Sequence, residues 1–186
     1  MTLDRRKAAA ELLADRGDLL VVTGLGSPTY DAAAAGDSHA NFYLWGAMGG
    51  AAMVGLGLAL ARPERRVLVL TGDGEMLMGM GSLATIAAVA PANLSVAVLD
   101  NGRYGETGAQ KSHTSLGTDL VTVAQGCGWK DCRTISDMAG VTALRAGIQA
   151  GPVFAVIKVD PAEAPRVLPP RDGTLLVHRF RAALES

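Results

Sequence analysis

Runs of apolar residues alternate with stretches of helical character along the chain. The apolar runs are short and nearly continuous, which is typical of strands buried on both faces of a parallel sheet: DLLVVTG, VLVLT, LSVAVLD, CRTI and PVFAVIKVD. Helices are expected between and around them, over residues 1–18, 45–61, 80–90, 118–128 and 136–151. This alternation predicts an α/β fold, a three-layer sandwich in which a parallel sheet is flanked by helices.

Capping residues indicate where two of these helices begin and end. Thr118 and Asp119 are both suitable N-cap types for the helix that follows them. Ser136 is expected to cap the next helix, and Gly151 is expected to close it.

Two segments lack the periodicity of regular structure. Residues 25–41 are rich in turn-forming residues and predict a loop. The proline-rich segment 160–186 predicts an extended tail followed by a short C-terminal helix. A chain of 186 residues is long enough to bury one substantial core, so a single domain over residues 1–186 is expected.

Composition narrows the class of protein. Hydrophobic residues make up 49% of the chain and aromatic residues only 4%, so the core is built from Ala, Val, Leu and Met, and a subunit interface would explain the apolar excess. The net charge is −1 without a basic tract, which argues against a nucleic-acid partner. The apolar stretch 45–61 is shorter than the roughly 20 residues of a membrane span. Reduced thiols at Cys127 and Cys132 would suit a cytoplasmic protein.

The triplet Gly72-Asp73-Gly74 directly follows an apolar strand. Ligands of open parallel sheets bind beyond the carboxyl ends of the strands, where glycines permit close backbone approach and helix N-termini attract phosphate. An aspartate beside phosphate requires a cation between them, and hard oxygen donors favour Mg²⁺. By itself the triplet fits a tight turn equally well. Asn101, at the end of the next strand, adds a second oxygen donor and favours the ligand site.

Residues 72–101, from GDGEM to VLDN, resemble the cofactor motif of thiamine diphosphate (ThDP)-dependent enzymes, which begins with GDG and ends in a pair usually written NN. The preceding residues 41–71 resemble the region upstream of this motif in the family's diphosphate-binding, or PP, domain. Among family members, the chain looks most like the β subunit of sulfopyruvate decarboxylase and the equivalent half of phosphonopyruvate decarboxylase.

The resemblance implies a metal and cofactor site. Asp73 and Asn101 would bind Mg²⁺ through their side chains and Arg103 through its carbonyl, while Gly74 and Glu75 would offer backbone N–H groups to the diphosphate. Met48 would be the apolar wedge that holds the cofactor in its V shape. The complete implied cofactor-binding set is Gly46, Ala47, Met48, Gly72, Asp73, Gly74, Glu75, Asn101, Arg103, Tyr104 and Gly105.

Two departures from the family pattern affect the expected function. Asp100 replaces the first asparagine of the pair. The family also activates its cofactor with a glutamate from a PYR-type domain, for which this chain has no room. Glu106 is the chain's own candidate catalytic carboxylate, but the activating glutamate is expected on a partner chain, in an α2β2 assembly or a multiple of it.

The resemblance therefore implies a ThDP- and Mg²⁺-binding subunit of a heteromeric 2-oxo acid decarboxylase. The substrate would be a small anionic 2-oxo acid, whose second anion would meet Arg103, Lys111 and His113, although solvated loop residues are an equally good interpretation. Two alternatives stay open: an acetolactate-synthase-like carboligase subunit, and a non-catalytic regulatory subunit that binds ThDP. Phe42 and Trp45 are expected to fill a subunit interface.

Overall fold

The computed structural model describes residues 2–185, which form a six-stranded parallel sheet, a small two-stranded sheet and eight α-helices. The strands are β1 (Leu20–Thr23), β2 (Asn41–Tyr43), β3 (Val67–Gly72), β4 (Leu94–Asp100), β5 (Arg103–Tyr104), β6 (Gln110–Lys111), β7 (Cys132–Ile135) and β8 (Phe154–Lys158). The helices are α1 (Arg5–Leu13), α2 (Ser27–Ala34), α3 (Ala51–Ala61), α4 (Asp73–Met78), α5 (Ser82–Val89), α6 (Leu120–Cys127), α7 (Met138–Ala150) and α8 (Gly173–Glu185).

The large sheet has the strand order β2-β1-β3-β4-β8-β7, and all its neighbouring strands are parallel. From β1 the chain continues outward to β2, whereas β3 continues in the opposite direction to β4. This reversal separates the loops that follow β1 and β3, and such a switch point is where open α/β sheets bind ligands. In the register of the next pair, Gly72 lies opposite Leu99, so β3 and β4 end side by side.

Alternate residues of the strands contribute side chains to two apolar cores, one on each face of the sheet. Leu68 and Leu70 of β3 pack with helices α1, α2 and α7, whereas Val67 and Val69 pack with α3, α5 and α6. Because successive strand side chains point to opposite faces, a nearly continuous apolar sequence is required when both faces are covered. This arrangement confirms the predicted α/β sandwich with a parallel sheet flanked by helices.

Several sequence-based boundaries are wrong. The helix predicted over 1–18 spans only Arg5–Leu13. The predicted loop 25–41 contains helix α2, with a proline in its first turn, and ends in the first residue of the short strand β2. Helix α3 begins at Ala51 and not at residue 45, because Gly46 and Gly49 have positive φ angles of 73° and 87°. The N-cap of α7 is Asp137, whose side chain accepts a hydrogen bond from Gly140 N, and not Ser136.

The segment after β8 runs without regular structure to α8, whose first turn is capped by Asp172. Helix α8 contributes Leu176 to one core and Phe180 to the other, so it crosses the sheet at the β2 edge. The expected subunit interface at Phe42 and Trp45 stays a prediction: both residues are half-buried, and the chain's own tail packs against them. The Phe42 ring lies 5.4 Å from the Phe180 ring, and Trp45 Nε1 donates to the carbonyl of Pro170.

Within residues 2–185, the helices are all too short or too polar to span a membrane. Both cysteines in this range are free, half-buried thiols.

Candidate functional site

A cavity opens at the carboxyl ends of β1, β3 and β4, at the switch point of the sheet. Helices α2 and α4 leave this edge toward opposite faces, and the loop after β4 closes the third side. Most of the predicted site residues come together here. The cavity is lined by Arg5, Leu25, Ser27, Pro28, Met48, Gly72, Asp73, Gly74, Glu75, Leu99, Asn101, Arg103, Tyr104, Gly105, Glu106 and Thr107.

Asp73 is a buried carboxylate at the first position of α4, with 2% of its surface exposed. Its Oδ2 accepts hydrogen bonds from the hydroxyls of Ser112 and Thr114. Among residues 2–185 it forms no ion pair with Lys, Arg or His. Burial raises the pKa of Asp73, and the negative charge of Asp100 raises it further, against the hydroxyl hydrogen bonds that lower it. A bound cation would relieve this unfavourable burial of charge.

Asp100, at the end of β4, is buried as deeply but has a cationic partner. Its Oδ2 accepts from Lys158 Nζ at 2.5 Å, and its Oδ1 accepts from Thr114 Oγ1 at 2.8 Å and from Gly102 N at 3.0 Å. The single hydroxyl proton of Thr114 is therefore shared between the two aspartates, and the shorter contact is to Asp100. The carboxylate that replaces the asparagine of the family pair is satisfied by the chain itself.

Asn101 and Arg103 follow Asp100 in a tight turn. Asn101 Oδ1 accepts from Arg103 N at 2.9 Å, and Gly102 between them has a φ of 68°, which glycine adopts without strain. Arg103 then pairs with Lys111 in the two-stranded sheet. No cluster of three or more His, Cys, Asp or Glu side chains suited to a metal occurs within residues 2–185. A cation here would therefore depend on carboxylate, amide and carbonyl oxygens, the donors that Mg²⁺ prefers.

The Glu75 side chain forms hydrogen bonds to other segments around the cavity. Its carboxylate accepts from Thr71 Oγ1 at 2.9 Å and from Ala51 N at 3.1 Å. It also fills the space beside Gly24, where a Cβ would lie 1.6 Å from Oε2. Burial raises the pKa of Glu75, against hydrogen bonds that lower it. Glu75 thus uses its side chain for structure, and only its backbone is left for a ligand.

Gly74 lies beneath the ring of Tyr104. A Cβ at Gly74 would come within 2.6 Å of that ring and 3.6 Å of the Met48 methyl group, so the three residues converge at one side of the cavity. The Tyr104 hydroxyl hydrogen-bonds to His113 Nδ1 at 3.1 Å. Gly46 and Ala47 precede this point and do not line the cavity.

Glu106 lies at the opposite side of the cavity, against the C-terminal tail. Its carboxylate pairs with Arg166 at 3.5 Å and contacts Tyr30. Burial raises the pKa of the Tyr30 hydroxyl, and the nearby charge of Glu106 raises it further. The carboxylate of Glu106 is therefore engaged by the chain's own residues. Lys111 is exposed and does not line the cavity.

Sequence reasoning missed four polar residues of the site: Arg5, Ser27, Ser112 and Thr114. Arg5 and Ser27 line the cavity directly, and the two hydroxyls of the loop hold Asp73. Ser27 begins a helix that has proline in its first turn, a pattern that marks a helix start after β1. The other three carry no local signal, since only the tertiary fold brings them to this edge.

The comparison with known families agrees with this geometry. Residues 24–159 match the family described as thiamine pyrophosphate enzyme, C-terminal TPP binding domain. The chain belongs to this family. The match begins directly after β1 and extends past β8, so it contains β3, β4 and every residue that lines the cavity except Arg5.

Two relatives of this thiamine pyrophosphate enzyme domain are named decarboxylases. The chain is 39% identical to the sulfopyruvate decarboxylase subunit beta of Methanothermobacter thermautotrophicus, over 97% of this chain and 95% of the relative. It is 38% identical to the phosphonopyruvate decarboxylase of Streptomyces viridochromogenes, over 89% of this chain but only 42% of that longer relative.

A solved structure shares the fold of the thiamine pyrophosphate enzyme domain. The thiamine diphosphate-dependent 4-hydroxybenzoylformate decarboxylase of Rhodococcus jostii superposes with a TM-score of 0.73 at 21% identity, over 88% of this chain and 34% of that one. At this level of identity the likeness concerns the fold.

Proposed function

We propose that this chain is the cofactor-binding subunit of a heteromeric 2-oxo acid decarboxylase, which holds ThDP through Mg²⁺ and works with a companion chain. The observation that carries the proposal is Asp73, a buried carboxylate without a cationic partner among residues 2–185, in a cavity lined by glycine backbone and by Asn101. The family match and the names of the two relatives support the same assignment.

The residues present fit the cofactor and its metal. Asp73 and Asn101 would bind Mg²⁺ through side-chain oxygens, and Arg103 would bind it through its carbonyl. The backbone of Gly74 and Glu75 would face the diphosphate, and Met48 would pack against the cofactor from the side of Tyr104. When bound, ThDP supplies a nucleophilic carbon and an electron sink for loss of CO₂. The chain's own residues would orient that group at the carboxyl ends of the strands.

Support for a companion chain comes from the apolar mouth of the cavity. Met48, Met78 and Met80 are exposed by 39%, 67% and 37%, and they line a second depression that shares Gly74 and Tyr104 with the cavity. Exposed apolar surface beside a ligand site is typical of an interface. The longer phosphonopyruvate decarboxylase has more than half of its length outside the matched region, enough for a further domain.

The two glutamates that line the cavity support the proposal that the activating glutamate comes from another chain. Glu75 is held by Thr71 and Ala51, and Glu106 is held by Arg166 and Tyr30. A PYR-type companion would supply the carboxylate that activates the cofactor. The relatives' names favour 3-sulfopyruvate or 3-phosphonopyruvate as the substrate, a small 2-oxo acid with a second anionic group.

Calorimetry and product analysis test the proposal. With the companion chain present, ThDP is expected to bind in Mg²⁺ and to be lost in EDTA, and the complex is expected to release CO₂ and an aldehyde from 3-sulfopyruvate or 3-phosphonopyruvate. Failure of Mg²⁺-dependent ThDP binding would contradict the cofactor assignment. Acetolactate formation from pyruvate would point to a carboligase, and full activity of the chain alone would contradict the shared site.

A further inference from the structure

Arg5 is a buried cation at the cavity that the proposed cofactor contacts leave unused. It is 8% exposed and lines both the main cavity and an adjoining one that is bordered by the C-terminal tail. An arginine remains charged at every physiological pH, so its burial requires negative charge nearby.

The internal partner of Arg5 is Asp31, which has no exposed surface. Arg5 Nε donates to Asp31 Oδ2 at 2.5 Å, and Arg6 Nε donates to Asp31 Oδ1 at 3.5 Å. Two arginines thus share one carboxylate, and this group of three residues carries a net charge of +1 beside the cavity. Arg6 directs Nη2 to the carbonyl of Pro165 and lines neither cavity.

The two Nη groups of Arg5 are available to a ligand. Neither hydrogen-bonds to the part of the chain that the structure describes, and neither is a fully enclosed atom without a partner. Asp31 therefore fixes the guanidinium through Nε, while both Nη groups keep some exposed surface in a residue that lines two cavities. Anchoring through one edge leaves the other edge for an oxyanion, which guanidinium groups bind with two parallel hydrogen bonds.

Helix stability does not explain a cation at this position. Arg5 is the first residue of α1, directly after the N-cap Asp4, and the first turn contains no acidic residue. Positive charge at a helix N-terminus opposes the helix dipole, so this placement costs stability. A locally unfavourable residue that points into a ligand cavity is a feature of functional sites.

From these observations we infer that Arg5 binds the terminal phosphate of the cofactor's diphosphate, and that Asp31 positions it. The inference rests on the proposed function. Arg5 shares the main cavity with Gly72, Gly74 and Asn101, at the strand ends where the metal and the diphosphate are proposed to bind. The charge of +1 would offset the negative charge that the diphosphate retains after one divalent cation binds.

The test compares two ligands that differ in the terminal phosphate. Calorimetry measures the binding of ThDP and of thiamine monophosphate to the full-length chain with its companion and saturating Mg²⁺. We expect Arg5→Gln to weaken ThDP binding by about 10- to 100-fold, the range for a hydrogen bond between charged groups, and to change thiamine monophosphate binding by less than about threefold. The ThDP affinity of Arg5→Lys should lie between those of the unmodified chain and Arg5→Gln. Lysine keeps the positive charge but cannot donate two parallel hydrogen bonds to one phosphate.

Arg6→Gln is the matched control, because it also removes a contact to Asp31 but does not line the cavity; both affinities should be retained. If Arg5→Gln does not fold, the ratio of the two affinities in Arg5→Lys decides the question. Equal losses for both ligands would overturn the inference, because they indicate a structural role. Unchanged ThDP affinity with a raised KM for the 2-oxo acid would overturn it in favour of substrate binding. If the unmodified complex binds no ThDP, the proposed function itself fails.

Discussion

The ends of β3 and β4 lie side by side, and each presents a buried aspartate, but their electrostatic surroundings differ. Asp100 at the end of β4 is neutralised by Lys158, whereas Asp73 after β3 has no cationic partner among residues 2–185 and accepts from the hydroxyls of Ser112 and Thr114. Folding alone explains the first carboxylate, because all its charge is compensated within the chain. The second carries an uncompensated cost that a cation would remove, so we expect Asp100 to be structural and Asp73 to hold the proposed metal.

The same comparison explains the departure from the family's asparagine pair. An asparagine at position 100 would accept hydrogen bonds from Gly102 N and Thr114, but it would leave Lys158 without a counter-charge. Asp100 and Lys158 lie directly opposite each other in the register of β4 and β8, so the carboxylate at position 100 has an ion-pair partner on the neighbouring strand.

The largest expected effect is that of Asp73→Asn on cofactor binding. This change removes the proposed metal ligand, so Mg²⁺-dependent ThDP affinity, measured by calorimetry, should fall by at least about 100-fold, because groups that only orient a metal ligand already contribute about 10–100-fold. The matched variant Asp100→Asn should stay within about threefold of the unmodified chain. Equal losses of ThDP affinity in the two variants would contradict the proposal that Asp73 binds the metal and Asp100 does not.

A smaller effect is expected on stability when Lys158 is replaced by Met. The variant leaves Asp100 buried without its cation, and because Lys158 is 46% exposed we expect a loss of only about 1 kcal/mol, or about 2–4 °C in Tm. Lys130→Met, at an exposed position, is the control in thermal denaturation. Loss of ThDP binding in Lys158→Met with an unchanged Tm would show that Asp100 serves the ligand instead.

The smallest effect is a pH dependence of stability in the ligand-free chain. The pKa of Asp73 is raised in the folded state, so the unfolded state loses this proton first and unfolding becomes more favourable as pH rises. The penalty begins above about pH 4, the ordinary range of the group, and grows until the raised pKa is passed. Denaturant titrations should therefore show Asp73→Asn gaining stability relative to the unmodified chain from pH 4 upward. Parallel pH profiles would contradict this assignment of the pKa shift.

The sheet and the centre of the site were predictable because each depends on a local pattern. The apolar strands have few interruptions, and the Gly-Asp-Gly triplet and Asn101 lie at strand ends that parallel pairing brings together. Helix α2 was missed because its turn-forming residues outweighed the proline in its first turn and the alanines after it. The start of α3 was misjudged because nothing in the apolar run shows where glycine takes a positive φ.

The remaining site residues were not predictable, because tertiary structure alone assembles them. Ser112 and Thr114 reach Asp73 across 39 and 41 residues of sequence. Arg5 lies in a cluster of basic residues at the start of α1 that, taken alone, suggests a solvated helix end. Only the pairing of Arg5 with Asp31, 26 residues away, reveals that its guanidinium is buried.

The position of α8 over the β2 edge affects the tendency of the protein to self-associate. β2 has only three residues and is the edge strand of the sheet beside β1, and edge strands invite pairing with a second molecule. The contact of Phe180 with Phe42 places helix α8 against this edge of the sheet. A helix cannot extend the sheet, so it blocks pairing with another strand. Undocking of α8 would therefore favour self-association through the sheet before it disturbed the cavity, which lies at the ends of β1, β3 and β4.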